Sequence, residues 1–145
     1  MFHEDIIASI AHAQMLAKQN IISKGEGLKI INGLKRIYKG IEKGKFNFKT
    51  ELEDIHMNVE NRLKEIIGDT AGKLHTARSR NDQVSTDLRL WVRNAILILD
   101  KELKELQKRL IVLAESNTST IMPGFTHLQN AQPITFGHHL LAYVC

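Results

Sequence analysis

A polar stretch between residues 72 and 83 is crowded with hydrogen-bond donors, and it runs directly into a long apolar pattern. The donors are Lys73, His75, Thr76, Arg78, Ser79, Arg80, Asn81 and Gln83. Arginine presents a planar fork that suits carboxylates, and serine and asparagine can adjust the orientation of a ligand. A loop of this kind, held at the start of a rigid helix, could bind an anionic substrate. The alternative is a solvated linker whose arginines pair with nearby acids.

Two further segments could carry chemistry. His56 and Glu60 are four residues apart, so on a helix they would share a face distinct from the apolar one. A carboxylate beside an imidazole can fix its tautomer and raise its basicity; the alternative is an exposed pair of little consequence. Residues 122–133 combine turn formers with a histidine, His127, that could exchange protons near neutral pH. The polar side chains of that segment are Thr126, His127, Gln129, Asn130 and Gln132.

A metal site and a local nucleophile are not predicted. His138 and His139 are adjacent, so on a helix they point about 100° apart, and the chain has neither a His-Glu-x-x-His pattern nor a pair of cysteines. Thr76 and Ser79 lack a base in a fixed local relation, as a nucleophile would require. We therefore expect neither a metal nor another cofactor.

Composition favours a helical protein. The 145 residues are 43% hydrophobic and 25% charged, with only 6% aromatic residues, and the apolar residues are mainly Ile, Leu, Ala and Met. The net charge is +4 and the pI about 9.3. Because the basic residues are scattered, a nucleic-acid partner is not favoured. The single cysteine, Cys145, and the lack of a transmembrane or secretory pattern predict a cytoplasmic protein without membrane contact.

Apolar spacing predicts four helices and the start of another. The first covers residues 4–19, and capping boxes beginning at Ser23 and Thr50 open the second and third. Gly68 would end the third helix, and a loop from about 69 to 82 would follow. Apolar residues then recur from 84 to 113 in a helix of about 30 residues, roughly 45 Å long. After a turn at Pro123, Pro133 would begin a final helix that continues to residue 145.

These elements predict an all-α fold in two parts. Residues 1–82 would form a small helical N-terminal domain, and residues 83–145 would begin a central bundle of long helices. The apolar stripe of the long helix is too extended for the preceding short helices to cover, which is typical of a helical bundle or assembly. The last helix has no stop signal, so the chain is expected to be a truncated part of a longer protein.

Taken together, three segments of the chain are specific for one protein family. The chain resembles the argininosuccinate lyase family, within the fumarase and aspartase superfamily, in residues 56–60, 72–83 and 124–133, in the family's order and at its spacing. The resemblance implies reversible elimination of fumarate from argininosuccinate, leaving arginine, in a homotetramer whose active sites are shared between subunits. It also implies roles for individual residues. His127 would transfer protons, His56 would be a second active-site histidine oriented by Glu60, and the residues contacting substrate would be Ser79, Arg80, Asn81, Thr126 and Gln129, with Gln132 as a further contact.

The chain also departs from that family's pattern. It lacks the family's mobile Gly-Ser-Ser loop, whose serine is the catalytic partner of the histidine matched by His127, and an N-terminal Gly-Gly-Arg-Phe segment. We therefore expect this N-terminal part to be inactive by itself. Two alternatives stay open: a non-catalytic, crystallin-like structural protein on the same scaffold, and another lyase of the superfamily acting on a different succinyl compound.

Overall fold

The computed structural model describes residues 1–144, and within that range the chain is mainly α-helical. The predicted all-α class is confirmed for this helical framework, to which the structure adds one β-hairpin. Residue 145, the end of the predicted last helix, lies outside the described residues. The chain divides into two compact units, Met1–Arg93 and a second that starts at Asn94. The predicted domain boundary between residues 82 and 83 stays a prediction.

Helices α1 (Phe2–Lys18) and α2 (Lys24–Glu42) confirm the first two predicted helices. The capping box at Ser23 is present: its hydroxyl accepts from the Glu26 backbone N–H at 3.2 Å, and the Glu26 carboxylate accepts from the Ser23 N–H at 2.9 Å. On α2, Leu28 is 60% exposed while Ile30 is fully buried. The apolar face of α2 therefore runs through residues 30, 34 and 37.

Helix α3 (Ile55–Ile67) begins later than the sequence predicted. Thr50–Leu52 forms a separate 3₁₀ turn, and Glu53 adopts a left-handed φ of 57°, which interrupts any helix continuing from Thr50. The N-cap is instead Asp54, whose carboxylate accepts from the Met57 N–H at 2.7 Å. Helix α3 ends at Gly68, as predicted.

The core of the first unit brings α1, α2 and α3 into close contact, together with the 3₁₀ segment Gly68–His75. Its buried apolar residues are Ile6, Ala13, Leu16, Ile22, Ile30, Leu34, Ile37, Val59, Leu63, Ile67, Ala71 and Leu74. Helices α2 and α3 pack tightly at Gly33, where a Cβ atom would lie 2.5 Å from a Leu63 methyl group. A larger residue at this position would push α2 away from α3, the helix that carries His56 and Glu60.

Helix α4 (Arg80–Glu115) has 36 residues, or about 54 Å of helix. The loop predicted from about 69 to 82 therefore ends earlier than expected, because Arg80 and Asn81 belong to the first turn of α4. Many large apolar side chains of α4 are exposed, as the predicted uncovered stripe implies, and they are Val84, Leu88, Trp91, Val92, Ile96, Leu97, Ile98, Leu99, Leu103, Leu106, Ile111, Val112 and Leu113. No helix in the described range is both long and apolar enough to cross a membrane.

The segment after α4 corrects the prediction of a turn followed directly by a helix. Strands β1 (Ile121–Thr126) and β2 (Gln129–Thr135) form an antiparallel hairpin in which Pro123 pairs with Pro133. Helix α5 (Phe136–Leu141) starts only after Thr135, whose hydroxyl accepts from the His138 N–H at 3.2 Å. The φ of proline suits an edge strand as well as a first helical turn, so Pro133 alone did not distinguish them.

Candidate active site

Three helices of the first unit each contribute one ionisable side chain to a buried cluster. Asp5 comes from α1, His56 from α3 and Asp87 from α4, and they are 1%, 4% and 0% exposed. The His56 Nδ1–H donates to Asp5 Oδ1 at 3.0 Å, and Asp87 Oδ2 lies 3.6 Å from the same nitrogen. Because its hydrogen-bond acceptor is a carboxylate, Nδ1 carries a proton.

The two carboxyl groups differ in their proton affinity. Burial tends to raise the pKa of Asp5, but hydrogen bonds from His56 and Gln83 lower it overall. Burial and the negative charge of Asp5 raise the pKa of Asp87 to about 6. The hydrogen bond to Asp5 raises the pKa of His56 against the opposing effect of burial. Asp5 therefore stays ionised, while protons are held on His56 and Asp87 more strongly than usual.

Positive charge reaches this cluster from one further side chain. Arg78 is half-buried, donates to Ser9 Oγ at 2.9 Å and interacts electrostatically with Asp5 and Asp87. One ligand atom from each member of the Asp5, His56 and Asp87 cluster lies within 4.8 Å of the others, so distances alone would permit a cation. Protonated His56 and Arg78 can balance the two carboxylates, so the cluster is best described as a group of buried charges in which His56 bonds to Asp5 and Asp87 lies nearby.

Glu60 and His56, predicted as a pair, have different partners. The carboxylate that orients His56 is Asp5, 51 residues away in sequence. Glu60 instead accepts from Arg80 Nη2 at 3.1 Å and lies 3.7 Å from the His75 ring. The sequence predicted that His56 lies on a polar face of α3, separate from the apolar face. His56 is nevertheless buried, because α1 and α4 place polar side chains around it.

The substrate-binding candidates of the polar stretch lie at the N-terminus of α4. Arg80 donates to Gln83 Oε1 at 2.7 Å through Nη1 and to Glu60 through Nη2, and its side chain is 31% exposed. Ser79 and Asn81 are exposed, and the Ser79 hydroxyl accepts from the Asn81 N–H at 3.2 Å. A partly open guanidinium beside the free N–H groups of a helix start is suited to binding a carboxylate.

The second group of candidates lies at the tip of the β-hairpin. Thr126 pairs with Gln129, and His127 and Leu128 form the two-residue turn between them. Both turn residues have left-handed backbones, with φ of 48° and 61°, as a type I′ hairpin turn requires. Such a conformation costs a non-glycine residue about 1–3 kcal/mol and is found preferentially at functional sites. The turn holds the His127 side chain in solvent.

The site candidates thus fall into two groups, one in each compact unit. The first unit brings His56, Glu60 and Arg80 into one hydrogen-bonded region through Asp5 and Gln83, with Ser79 and Asn81 adjacent to Arg80. The hairpin brings Thr126, His127 and Gln129 together.

A model of a protein family described as lyase matches residues 1–145 of the chain. The chain belongs to this lyase family. Among curated relatives, argininosuccinate lyase from Ehrlichia ruminantium (strain Welgevonden) is 61% identical over 143 residues, covering 99% of this chain and 31% of the relative. Argininosuccinate lyase from Chelativorans sp. (strain BNC1) is 58% identical over 144 residues, covering 99% and 30%. The chain thus spans about a third of the length of these relatives.

Solved lyase structures share the fold. An EDDS lyase variant with bound fumarate superposes with a TM-score of 0.81 at 30% identity, covering 99% of this chain and 28% of that chain. Fumarate lyase from Mesorhizobium sp. BNC1 gives a TM-score of 0.75 at 22% identity, covering 99% and 34%. At the lower identity, the similarity concerns the fold alone.

The sequence analysis did not single out Asp5 or Asp87, and it named Gln83 only as one donor of the polar stretch. Asp5 and Asp87 are charged residues within helices, and this pattern usually indicates a solvated face. Their positions in the sequence could have indicated burial. Asp5 is adjacent to the apolar Ile6, and Asp87 lies one helical turn after Gln83. Only the packing of α1, α3 and α4 reveals that they face one another.

The buried carboxyl group of Asp87 should make stability depend on pH. Its pKa is raised from 3.8 to about 6. The stabilisation that it contributes to the folded state is therefore complete below pH 4 and is lost as the pH rises through 6. The raised pKa of His56 adds a contribution that is complete below pH 6.5 and is lost at higher pH. Asp87→Asn should therefore reduce the fall in unfolding free energy between pH 5 and pH 7.5 by about 1 kcal/mol.

Urea denaturation followed by circular dichroism at the two pH values measures this difference. Asp69→Asn is the matched control, because Asp69 is exposed in the 3₁₀ segment. If Asp87→Asn kept the wild-type dependence on pH, the assignment of a buried proton to Asp87 would be wrong.

Proposed function

We propose that this chain is the N-terminal part of an argininosuccinate lyase, which eliminates fumarate from argininosuccinate and leaves arginine. The observation that carries the proposal is 55–61% identity to argininosuccinate lyases over 99% of the chain. The fumarate bound by the EDDS lyase variant, whose fold this chain shares, fits a reaction that releases fumarate.

The proposed reaction needs proton transfer and charge stabilisation. A base removes a proton from the carbon beside a carboxylate, the anion that forms is stabilised, and the C–N bond breaks as the guanidinium leaving group is protonated. We assign proton transfer to His127, because an imidazole can act as a general acid or base and the strained hairpin turn holds this one in solvent. His56 is assigned a supporting active-site role, because its buried position suits fixing the site better than contacting substrate.

Substrate binding is assigned to the start of α4 and to the hairpin. Arg80 would bind a substrate carboxylate with its remaining N–H groups, and Asn81 and Ser79 would orient it from the same helical turn. Thr126 and Gln129 would contact substrate beside His127. Glu60, predicted to orient His56, is proposed to orient Arg80 instead.

We further propose that the complete protein is a homotetramer in which the two groups of residues meet between subunits. The exposed apolar side chains along α4 support this, since an apolar stripe of that extent favours association. A cytoplasmic location, expected from the sequence, belongs to the same proposal.

Association should already be measurable for the 145-residue chain. Because α4 exposes its apolar stripe, sedimentation velocity at tens of micromolar should give oligomers, and Leu99→Glu combined with Leu103→Glu should shift the distribution towards monomer. Lys101→Glu combined with Lys104→Glu changes charge on the same helix and serves as the control. A stable wild-type monomer at this concentration would contradict the proposal.

The function is tested with the full-length protein carrying this chain. Purified protein is incubated with argininosuccinate, and fumarate is followed by its ultraviolet absorbance and arginine by chromatography. Release of both in equal amounts is expected. Release of fumarate only from another succinyl compound would favour a different lyase of the superfamily, while no release from any of them would favour a crystallin-like structural role.

A further inference from the structure

The guanidinium of Arg80 is held at two points. Nη1 donates to Gln83 Oε1 at 2.7 Å, and Nη2 donates to Glu60 Oε2 at 3.1 Å. Two bonds to different nitrogens fix the plane of the group, whereas one bond would leave it free to rotate. They use two of its five N–H groups, so the others can reach a ligand.

The two partners of Arg80 differ in how firmly they are held. The Glu60 side chain is 35% exposed and is shared with His75. Gln83 is only 2% exposed, and its Nε2 donates to Asp5 Oδ1 at 2.6 Å. The same Asp5 oxygen accepts from His56. Gln83 therefore connects the partly open arginine to the buried ion pair.

The chemistry of this connection requires an amide. The oxygen of Gln83 faces a cation that only donates, and its nitrogen faces a carboxylate that only accepts, so the orientation of the amide is determined. A glutamate would present an acceptor to Asp5, and a methionine of similar length would present neither group. Asparagine has both groups but is one methylene shorter.

We propose that Gln83 is a positioning residue for substrate binding: it transmits the fixed geometry of the Asp5–His56 pair to the guanidinium of Arg80. The proposal rests on the proposed function, in which Arg80 binds a substrate carboxylate. Gln83 acts through Arg80 and need not touch the substrate, since its amide is already engaged at both ends.

Two substitutions in the full-length protein test this role. Gln83→Met removes both bonds and should raise KM for argininosuccinate about tenfold, the effect of losing one charge-assisted hydrogen bond, with a smaller change in kcat. Gln14→Met is the matched control, because Gln14 is exposed on α1. An unchanged KM in a folded Gln83→Met protein would overturn the proposal.

Gln83→Glu adds a pH signature that a purely structural role does not produce. Burial and the adjacent Asp5 raise the pKa of the new carboxyl group. Once protonated, it donates to Asp5 and accepts from Arg80, as the amide does. The ratio of the variant's KM to the wild-type KM should therefore fall towards one as the pH is lowered, and no such recovery should occur in Gln83→Met. A ratio that does not change with pH would contradict the proposed relay.

A third measurement separates this inference from the proposed function. In ¹⁵N NMR spectra of the 145-residue chain, the Arg80 Nε–H group should show restricted rotation in the wild type and faster rotation in Gln83→Met. If the full-length wild type did not cleave argininosuccinate, the proposed function would fail. The NMR comparison would still decide whether Gln83 fixes Arg80. Equal Arg80 mobility in both chains would overturn the inference even in an active lyase.

Discussion

His127→Asn in the full-length protein should lower kcat about 10²-fold or more, the usual effect of losing a general acid or base. Asparagine tolerates the left-handed backbone of this position, where φ is 48°. The hairpin turn should therefore persist, and the loss can be attributed to the imidazole. KM should change less, and one limb of the pH profile of kcat should flatten.

Steady-state kinetics between pH 6 and pH 9 measure this effect. His138→Asn is the control, because its side chain is exposed on α5 and only its backbone N–H takes part in the helix cap. Near-normal kcat with an unchanged pH profile would mean that His127 does not transfer protons, and a binding role would then remain for it.

Arg80→Lys should weaken substrate binding although the positive charge is retained. Lysine cannot donate to Gln83, Glu60 and a substrate carboxylate in the fixed plane that the guanidinium provides. The loss of charge-assisted hydrogen bonds is about 1.5–3 kcal/mol, which corresponds to a ten- to hundredfold increase in KM. Because the reacting carbon would be misplaced, kcat should fall as well.

Arg62→Lys is the control for this substitution. Arg62 is exposed on α3 and pairs with Glu65, three residues further on. It should retain wild-type KM and kcat. If Arg80→Lys also retained both, the start of α4 would not be the carboxylate-binding position.

The sequence by itself determined the helical framework and the family. Helices α1 and α2 and the Ser23 capping box follow from local spacing and side-chain chemistry, because helix periodicity and capping depend on residues within a few positions of each other. The long helix α4 also follows from periodicity, although its first turn reaches back to Arg80. The motifs that indicated the lyase family are likewise contiguous stretches of sequence.

The hairpin at residues 121–135 was not predicted, because its turn does not use the usual residues. His127 and Leu128 occupy left-handed positions where asparagine and glycine are typical. Two prolines and a polar composition indicate a turn as readily as a strand. Cross-strand pairing, such as that of Thr126 with Gln129, is what selected the hairpin.

The partners of the site residues were decided only by the tertiary structure. His56 and Glu60 share a helix, yet His56 bonds to Asp5 from α1 and Glu60 bonds to Arg80 from α4. A preference between residues four apart is worth a few tenths of a kcal/mol, whereas a buried charge left without a partner costs several. The packing of α1, α3 and α4 therefore sets the pairing: His56 bonds to Asp5 where the helices meet, and the more open Glu60 is left to hold Arg80.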